Sequence, residues 1–526
     1  RGFRNGVRGQ IMLQRSAVTA ARHAGYRSTA IRAMSTRPKV NDPYKPGRPT
    51  PKAPCAADSC QRPPCSCDGT KNAEVLAKHK EPWTTEQVRE ATKKNVLFTW
   101  GPTDAMREGS LELAKGDGCY VVDPNGKKYM DFNSMAMCSH LGHTIPDEIM
   151  EAVVKQMKDL PYVYPGVGVA PIRAQLSSLL ADIVPGDINT FFFPSGGAES
   201  NECALRIARM YTGRHKVISR YRSYHGSTLG AISMTGDQRR WAGEAGANGH
   251  LHAFDPFPYS FSWGDTDEKI TQRNLDYLRE MIHYEGPHTV AAIFLESITG
   301  TNGILKPPKG YLEGVRALCD EFGIVMVCDE VMAGFGRTGR LFGYCHAPTV
   351  VPDIVTFAKG VNAAFMPLGG VGLRDPLANH FRKNPVTVGS TYNSHPTILA
   401  SAHATIKYYL EHNIITHVAS MEKHLIAGLQ RLIDNHPSVK QARAIGLFGA
   451  FDLQKNAKGD FIAEVTDPLP PAVLKFKKKL LENGVFTMMR GHTIYANPPL
   501  IISEQQLKET FDIIDDALHV VDEAME

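Results

Sequence analysis

An α/β fold built on a mainly parallel sheet is predicted from three observations. Short, continuously apolar runs, TVAAIFLE, GIVMVCDE and DIVTFAKG, have the composition of strands buried on both faces. From about Asp147 to His395 such runs alternate with stretches of helical pattern, the order expected of parallel strands joined by crossover helices. Each of the three runs also ends in an ionisable residue, Glu296, Asp329 or Lys359. In open α/β sheets the carboxyl ends of the strands face the ligand crevice, so carboxylates and an amine are offered to one pocket.

Taken in chain order, residues 1–41 carry nine Lys and Arg and no Asp or Glu, with much Ser and Ala. That is the make-up of a mitochondrial transit segment, so a mitochondrial matrix location is expected, with Met12 a candidate start; the alternative is a basic arm without order. The formal charge is +5, and with those nine set aside the rest of the chain carries −4. The basic balance therefore belongs to the tail and makes no case for nucleic acid. Residues 42–75 form a Pro/Cys-rich linker in which Cys55, Cys60, Cys65 and Cys67 do not follow a usual zinc spacing. No metal site is expected.

Residues 76–146 are expected to form an N-terminal small-lobe segment, with a hairpin around Asp123-Pro124-Asn125-Gly126. Residues 147–395 form the large domain. Residues 396–526 form a C-terminal small domain, opened by the helical TILASAHATIKYYLEHN and containing a loop from Arg490 to Pro498. With 526 residues, 42% hydrophobic and 21% charged, the chain can bury a sizeable core in two or three domains. No apolar run approaches the ~18 residues that span a bilayer. Cysteines outside the linker sit mostly in apolar runs, as reduced core residues do.

The large domain carries the candidate site. INTFFFPSGGAESNECALRIARMYTG reads as a strand, a turn at Ser195, Gly196, Gly197 and Ala198, and a helix whose free N-terminal amides favour an anion; the glycines could instead serve only a tight connection. Tyr224 and His225 follow the strand KVISR, where an aromatic ring can stack on a planar ligand or simply pack. Asp329 and Lys359, 30 residues apart, could form an ordinary ion pair. They also suit one cofactor. A desolvated lysine is nucleophilic enough to form a Schiff base, and a carboxylate can hold a pyridine nitrogen protonated so that the ring takes up electrons.

DEVMAGFGRTG followed by PDIVTFAKG, with SGGAESNE upstream, resembles the signature of class III, fold-type I pyridoxal-phosphate aminotransferases over roughly residues 85–522. The resemblance implies a seven-stranded, mainly parallel sheet flanked by helices, with a small α+β lobe from the N- and C-terminal segments. It implies pyridoxal 5′-phosphate as cofactor, with Lys359 attaching it and Asp329 at the ring nitrogen. Phosphate would lie on Ser195–Ala198, Tyr224 on one ring face beside His225, Val331 on the other face and Glu296 nearby. Several relatives carry glutamine where this chain has Met332, and a thioether cannot donate the hydrogen bond that glutamine gives the ring hydroxyl. GSTYNSHP resembles a family run that implies Thr391 reaches the phosphate of a neighbouring subunit, hence a homodimer. Arg490 resembles an arginine that grips a substrate carboxylate, although it could be a surface residue.

The nearest pattern is the taurine:pyruvate and ω-amino acid:pyruvate group, so transfer from an ω-amino acid or related amine to a small 2-oxo acid by ping-pong kinetics is expected. Ser227 and Thr301 stand where animal GABA aminotransferases carry an arginine and a glutamate, which disfavours that type. A plant-like GABA or alanine-glyoxylate enzyme, another class III activity, and a silent scaffold subunit are the rival readings.

Overall fold

The computed structural model describes residues 72–243 and 248–526. The transit-like segment and the four linker cysteines lie outside the described residues. Two compact units meet in sequence at Lys78 and His79; of the first, only the helix Asn72–Lys78 is described.

Seven strands of the second unit form one sheet. From edge to edge they are Ile188–Phe192, Gly370–Arg374, Ile354–Phe357, Val325–Asp329, Val290–Glu296, Lys216–Arg220 and His250–Ala253. Gly370–Arg374 runs antiparallel to both neighbours, and all the other strands point the same way. Every residue of the strands Val290–Glu296, Val325–Asp329 and Ile354–Phe357 is buried. Period-2 patterning is absent there because both faces are covered. Ala292 and Phe294 enter the core shared with helix Gly197–Thr212, whereas Ile293 and Leu295 enter the larger core on the opposite face. Neighbouring strand ends thus share one edge, and the helix after Phe192 starts there too.

Two smaller sheets belong to the same unit. Lys115–Asp117, Tyr120–Val122 and Lys128–Asp131 form a meander joined in parallel by Val485–Phe486, so N- and C-terminal segments share hydrogen bonds. Its turn is the expected one: Asp123 Oδ1 accepts from the amides of Asn125 and Lys127, and Gly126 takes φ +88°. The second sheet contains Val439–Ile445, Phe448–Leu453, Thr493–Ala496 and Met489–Arg490. Here the expectation of a loop over Arg490–Pro498 is corrected. Arg490 pairs with Thr493 across a tight hairpin, made possible by Gly491 at φ +58°, where a Cβ would fall 2.8 Å from the Glu464 carbonyl. Cys119, Cys319 and Cys328 are buried free thiols. No helix among the described residues is long and apolar enough to cross a membrane.

Candidate active site

Strand register assembles the site. Glu296 pairs with Asp329 and Asp329 with Thr356, so the two carboxylates stand side by side at the carboxyl edge, with Lys359 three residues beyond Thr356. Asp329 is buried, and each of its oxygens is engaged. Oδ1 accepts the Val331 amide at 3.0 Å, and Oδ2 accepts from His225 Nδ1 at 2.8 Å and Asn201 Nδ2 at 2.7 Å. His225 therefore reaches the site through Asp329. Asn201 is fixed in turn, donating also to the His225 carbonyl at 2.8 Å and accepting from Thr356 Oγ1 at 2.7 Å. Glu296 accepts the amides of Tyr224 at 3.1 Å and Gly300 at 2.8 Å, and burial raises its carboxyl above the ordinary value.

Lys359 is half-buried, and no carboxylate among the described residues takes its amine. Its backbone sits at φ +38°, a costly region for a side chain with a Cβ. The next residue holds it there: Tyr409 Oη donates to the Gly360 carbonyl at 2.7 Å, and a Cβ on Gly360 would fall 2.3 Å from His140 Cε1. His140 is buried with both ring nitrogens unpartnered; burial, and then the Arg337 charge, depress its basicity, so it stays neutral beside the lysine.

The Ser195–Ala198 turn leads into the helix Gly197–Thr212, whose first-turn amides have no intrahelical acceptor. Ser195, just before the helix cap, donates its amide to Glu199 Oε2 at 2.8 Å. A Cβ on Gly197 would come within 2.9 Å of Val331 Cγ1, so the turn and Val331 close on the same space. Tyr224 carries the Arg239 guanidinium 3.6 Å from its ring centroid, and Trp100 stands edge-on at 6.2 Å. The Met332 thioether packs over Gly300 among Met137, Ile298 and Tyr495.

Arg490 is not a surface arginine. It donates to Asp237 Oδ2 at 3.0 Å, Gln238 Oε1 at 2.9 Å, the Thr301 carbonyl at 3.0 Å and Asn302 Oδ1 at 3.3 Å. Asp237 also binds Arg239, which links Arg490 to Tyr224. Thr391 is exposed, and its carbonyl accepts from Tyr162 Oη at 2.8 Å. These contacts link Tyr224, His225, Glu296, Asp329, Val331 and Arg490, and Lys359 follows the strand beside Asp329; Thr391 stands outside them.

Sequence reasoning missed Asn201, Thr356, Asp237, Arg239 and Trp100. Thr356 had a signal, a hydroxyl inside the apolar run IVTF; Asn201 lies one helical turn after Gly197. A further missed feature is the run Ser134–Met137, four consecutive non-glycine residues at positive φ, from +46° to +63°. Asp131 Oδ1 and Oδ2 accept the amides of Asn133 and Met135, and Arg337 Nη2 donates to Ser134 Oγ at 3.1 Å, so the surroundings impose the strain.

The model of the class III aminotransferase family matches residues 104–518. The chain belongs to the class III aminotransferases. A solved taurine:2-oxoglutarate aminotransferase from Bifidobacterium kashiwanohense, in complex with PLP and glutamate, is 40% identical with a TM-score of 0.80, covering 85% of this chain and 100% of that one. The uncharacterized aminotransferase YhxA of Bacillus subtilis is 32% identical over 444 residues, 80% of this chain and 96% of that protein. A putrescine–pyruvate aminotransferase of Pseudomonas aeruginosa is 30% identical over 412 residues, 76% and 89% respectively. This class III aminotransferase is therefore a pyridoxal-phosphate enzyme of fold type I. The residues present fit the cofactor: a helix N-terminus for the phosphate, an uncommitted lysine, and a buried carboxylate held by two side-chain donors.

Proposed function

We propose that this aminotransferase moves the amino group of an ω-amino acid or ω-amino sulfonate, of the taurine, β-alanine or GABA type, to a small 2-oxo acid such as pyruvate. The observation that carries this reading is the Asp237–Arg239–Arg490 cluster against Tyr224, which offers guanidinium groups to an acid beside the candidate cofactor site. When bound, pyridoxal phosphate supplies an aldehyde and a ring that takes up electrons. Lys359 Nζ would hold the cofactor through that aldehyde, and the same amine would accept and return the proton of the donor carbon. Asp329 would hold the ring nitrogen protonated, and Asn201 and His225 orient Asp329. The Ser195–Ala198 turn would hold the phosphate through the amides of Gly196, Gly197 and Ala198, with Tyr224, Val331 and Glu296 as the residues for the ring. Arg490 binds the carboxylate of the oxo acid or the acid group of the donor.

A homodimer that brings Thr391 to the partner's phosphate is supported by the exposure of the apolar ring next to it, Tyr392. A mitochondrial matrix location is supported by the acid-free basic segment and by a rice relative, a mitochondrial γ-aminobutyrate transaminase 29% identical over 442 residues. The division into a large domain, residues 147–395, and a small lobe from the flanking segments belongs to the same proposal. One experiment tests the substrate reading: taurine, β-alanine, GABA and putrescine assayed in turn against pyruvate, glyoxylate and 2-oxoglutarate. Turnover confined to donors without an acid group would overturn it. The Bifidobacterium neighbour makes 2-oxoglutarate the second acceptor to expect.

A further inference from the structure

The arginine offered to the substrate already has a partner. Asp237 Oδ2 accepts from Arg490 Nη2 at 3.0 Å, from Arg239 Nη2 at 2.5 Å and from Asn302 Nδ2 at 3.2 Å. One carboxylate, 8% exposed, thus serves two guanidinium groups, and the three side chains together carry one surplus positive charge. Burial alone would raise the Asp237 carboxyl, but the hydrogen bond and charge of Arg239 and the charge of Arg490 outweigh it and hold it ionised. The two oxygens are not equivalent. Oδ1 is taken by the Arg239 amide at 2.9 Å and Arg239 Nε at 3.1 Å, whereas Arg490 is held through Oδ2 alone. Asp237 can release Arg490 while keeping Arg239. The remaining acceptors of Arg490 are neutral: Gln238 Oε1, the Thr301 carbonyl and Asn302 Oδ1.

We propose that Asp237 determines specificity as an internal competitor: it occupies Arg490 until the carboxylate or sulfonate of a substrate replaces it, and it closes on Arg490 again when the bound molecule has no acid group. This rests on the reading of Arg490 as the acid-binding residue. The physical reason is the cost of a partly buried guanidinium without a counter-ion. With Asp237 present, a donor lacking an acid group leaves no bare charge facing its apolar end. An acidic substrate exchanges one carboxylate–guanidinium contact for another, drawn by the surplus positive charge. Its affinity is then set by the difference between the two contacts rather than by the strength of either.

The test compares acidic with non-acidic donors. Single-turnover decay of the visible band of the cofactor-loaded enzyme, followed against concentration of taurine, β-alanine and 1-butylamine, gives a half-saturation constant for each donor. Asp237→Asn keeps the shape and removes the charge. It is expected to lower the constants for taurine and β-alanine about fivefold relative to that for 1-butylamine. Calorimetric titration with propionate, which has no amine to transfer, should tighten likewise. Asp237→Glu keeps the charge and should not show this fall, and Asp237→Ser replaces the Asn variant if that one does not fold. A relative change of less than about twofold, or a relative weakening of the acids, overturns the proposal and leaves Asp237 as a brace for Arg490. The underlying reading fails by a different result, an Arg490→Ala enzyme whose constants for both acids are those of the parent.

Discussion

His225 Nδ1 lies 2.8 Å from Asp329 Oδ2, with both side chains buried, and the charge of Asp329 is spent at one small locus rather than in a solvated ion pair. Asn201 approaches the same oxygen from the helix after the Ser195–Ala198 turn. A carboxylate so held cannot rotate away from whatever faces it, and its orientation is settled before any ligand arrives.

Asp329→Asn keeps the shape and loses the charge. A fall in kcat/KM of about a hundredfold, roughly 3 kcal/mol of transition-state stabilisation, is expected. Steady-state kinetics within threefold of the parent would show that the ring nitrogen is held by another group.

Lys359→Ala should abolish turnover while the unfolding temperature stays close to the parent's, since the strained backbone there is held by Tyr409 and His140 rather than by the lysine side chain. Transamination at the parent rate without an added amine would remove Lys359 from the chemistry.

Asn201→Ala strips a donor from Asp329 and leaves Thr356 Oγ1 and the His225 carbonyl short of a buried partner. A destabilisation of about 1–3 kcal/mol in denaturant unfolding is expected, together with a roughly tenfold loss of kcat. Lost stability with intact kcat would confine Asn201 to a packing role.

Glu330 predicts a pH dependence. Burial raises its carboxyl from the ordinary 4.5 to about 7, against hydrogen bonds from Ser297 Oγ and the amides of Gly343 and Tyr344. Between those two values the folded chain holds more protons than the unfolded one, so the Glu330 contribution to stability falls as pH rises from about 4.5 to about 7 and is lost above it, by about 3 kcal/mol at most. Glu330→Gln should flatten the stability profile across that window, measured by denaturant unfolding at successive pH values. Parallel profiles for variant and parent would assign the slope to other groups.

The candidate site was legible wherever a local pattern implies a place. A buried parallel strand must end at the crevice, so Glu296, Asp329 and Lys359 could be read from three apolar runs, and a Gly-rich turn before a helix pointed to an anion at Ser195–Ala198. Ser227 and Thr301 were equally readable, as departures at positions with a known neighbour in sequence. Periodicity also placed the sheet, because burial on both faces removes alternation from the central strands.

Partners far apart in the chain were not legible. Asp237 and Arg490 lie 253 residues apart, Asn201 and Asp329 128, and Thr356 and Asn201 155. Which side chains meet across such distances follows from strand order, register and the docking of the C-terminal hairpin on the large sheet's edge loops, and no short-range period encodes those choices. Asp237 and Gln238 meet Arg490 only because the Gly491 hairpin brings it against them. The left-handed run at Ser134–Met137 is a stronger case, since local preference opposes it. Asp131 and Arg337 impose it through buried hydrogen bonds that exist only once the cores have closed. The sequence by itself determined the fold class and the residues at the strand ends, because burial patterns act over a few residues, and its resemblance to the class III family implied the cofactor. The tertiary structure alone decided how those residues are oriented and which carboxylate pairs with Arg490, because hydrogen bonds and ion pairs form between whatever groups the packed chain brings within about 3 Å.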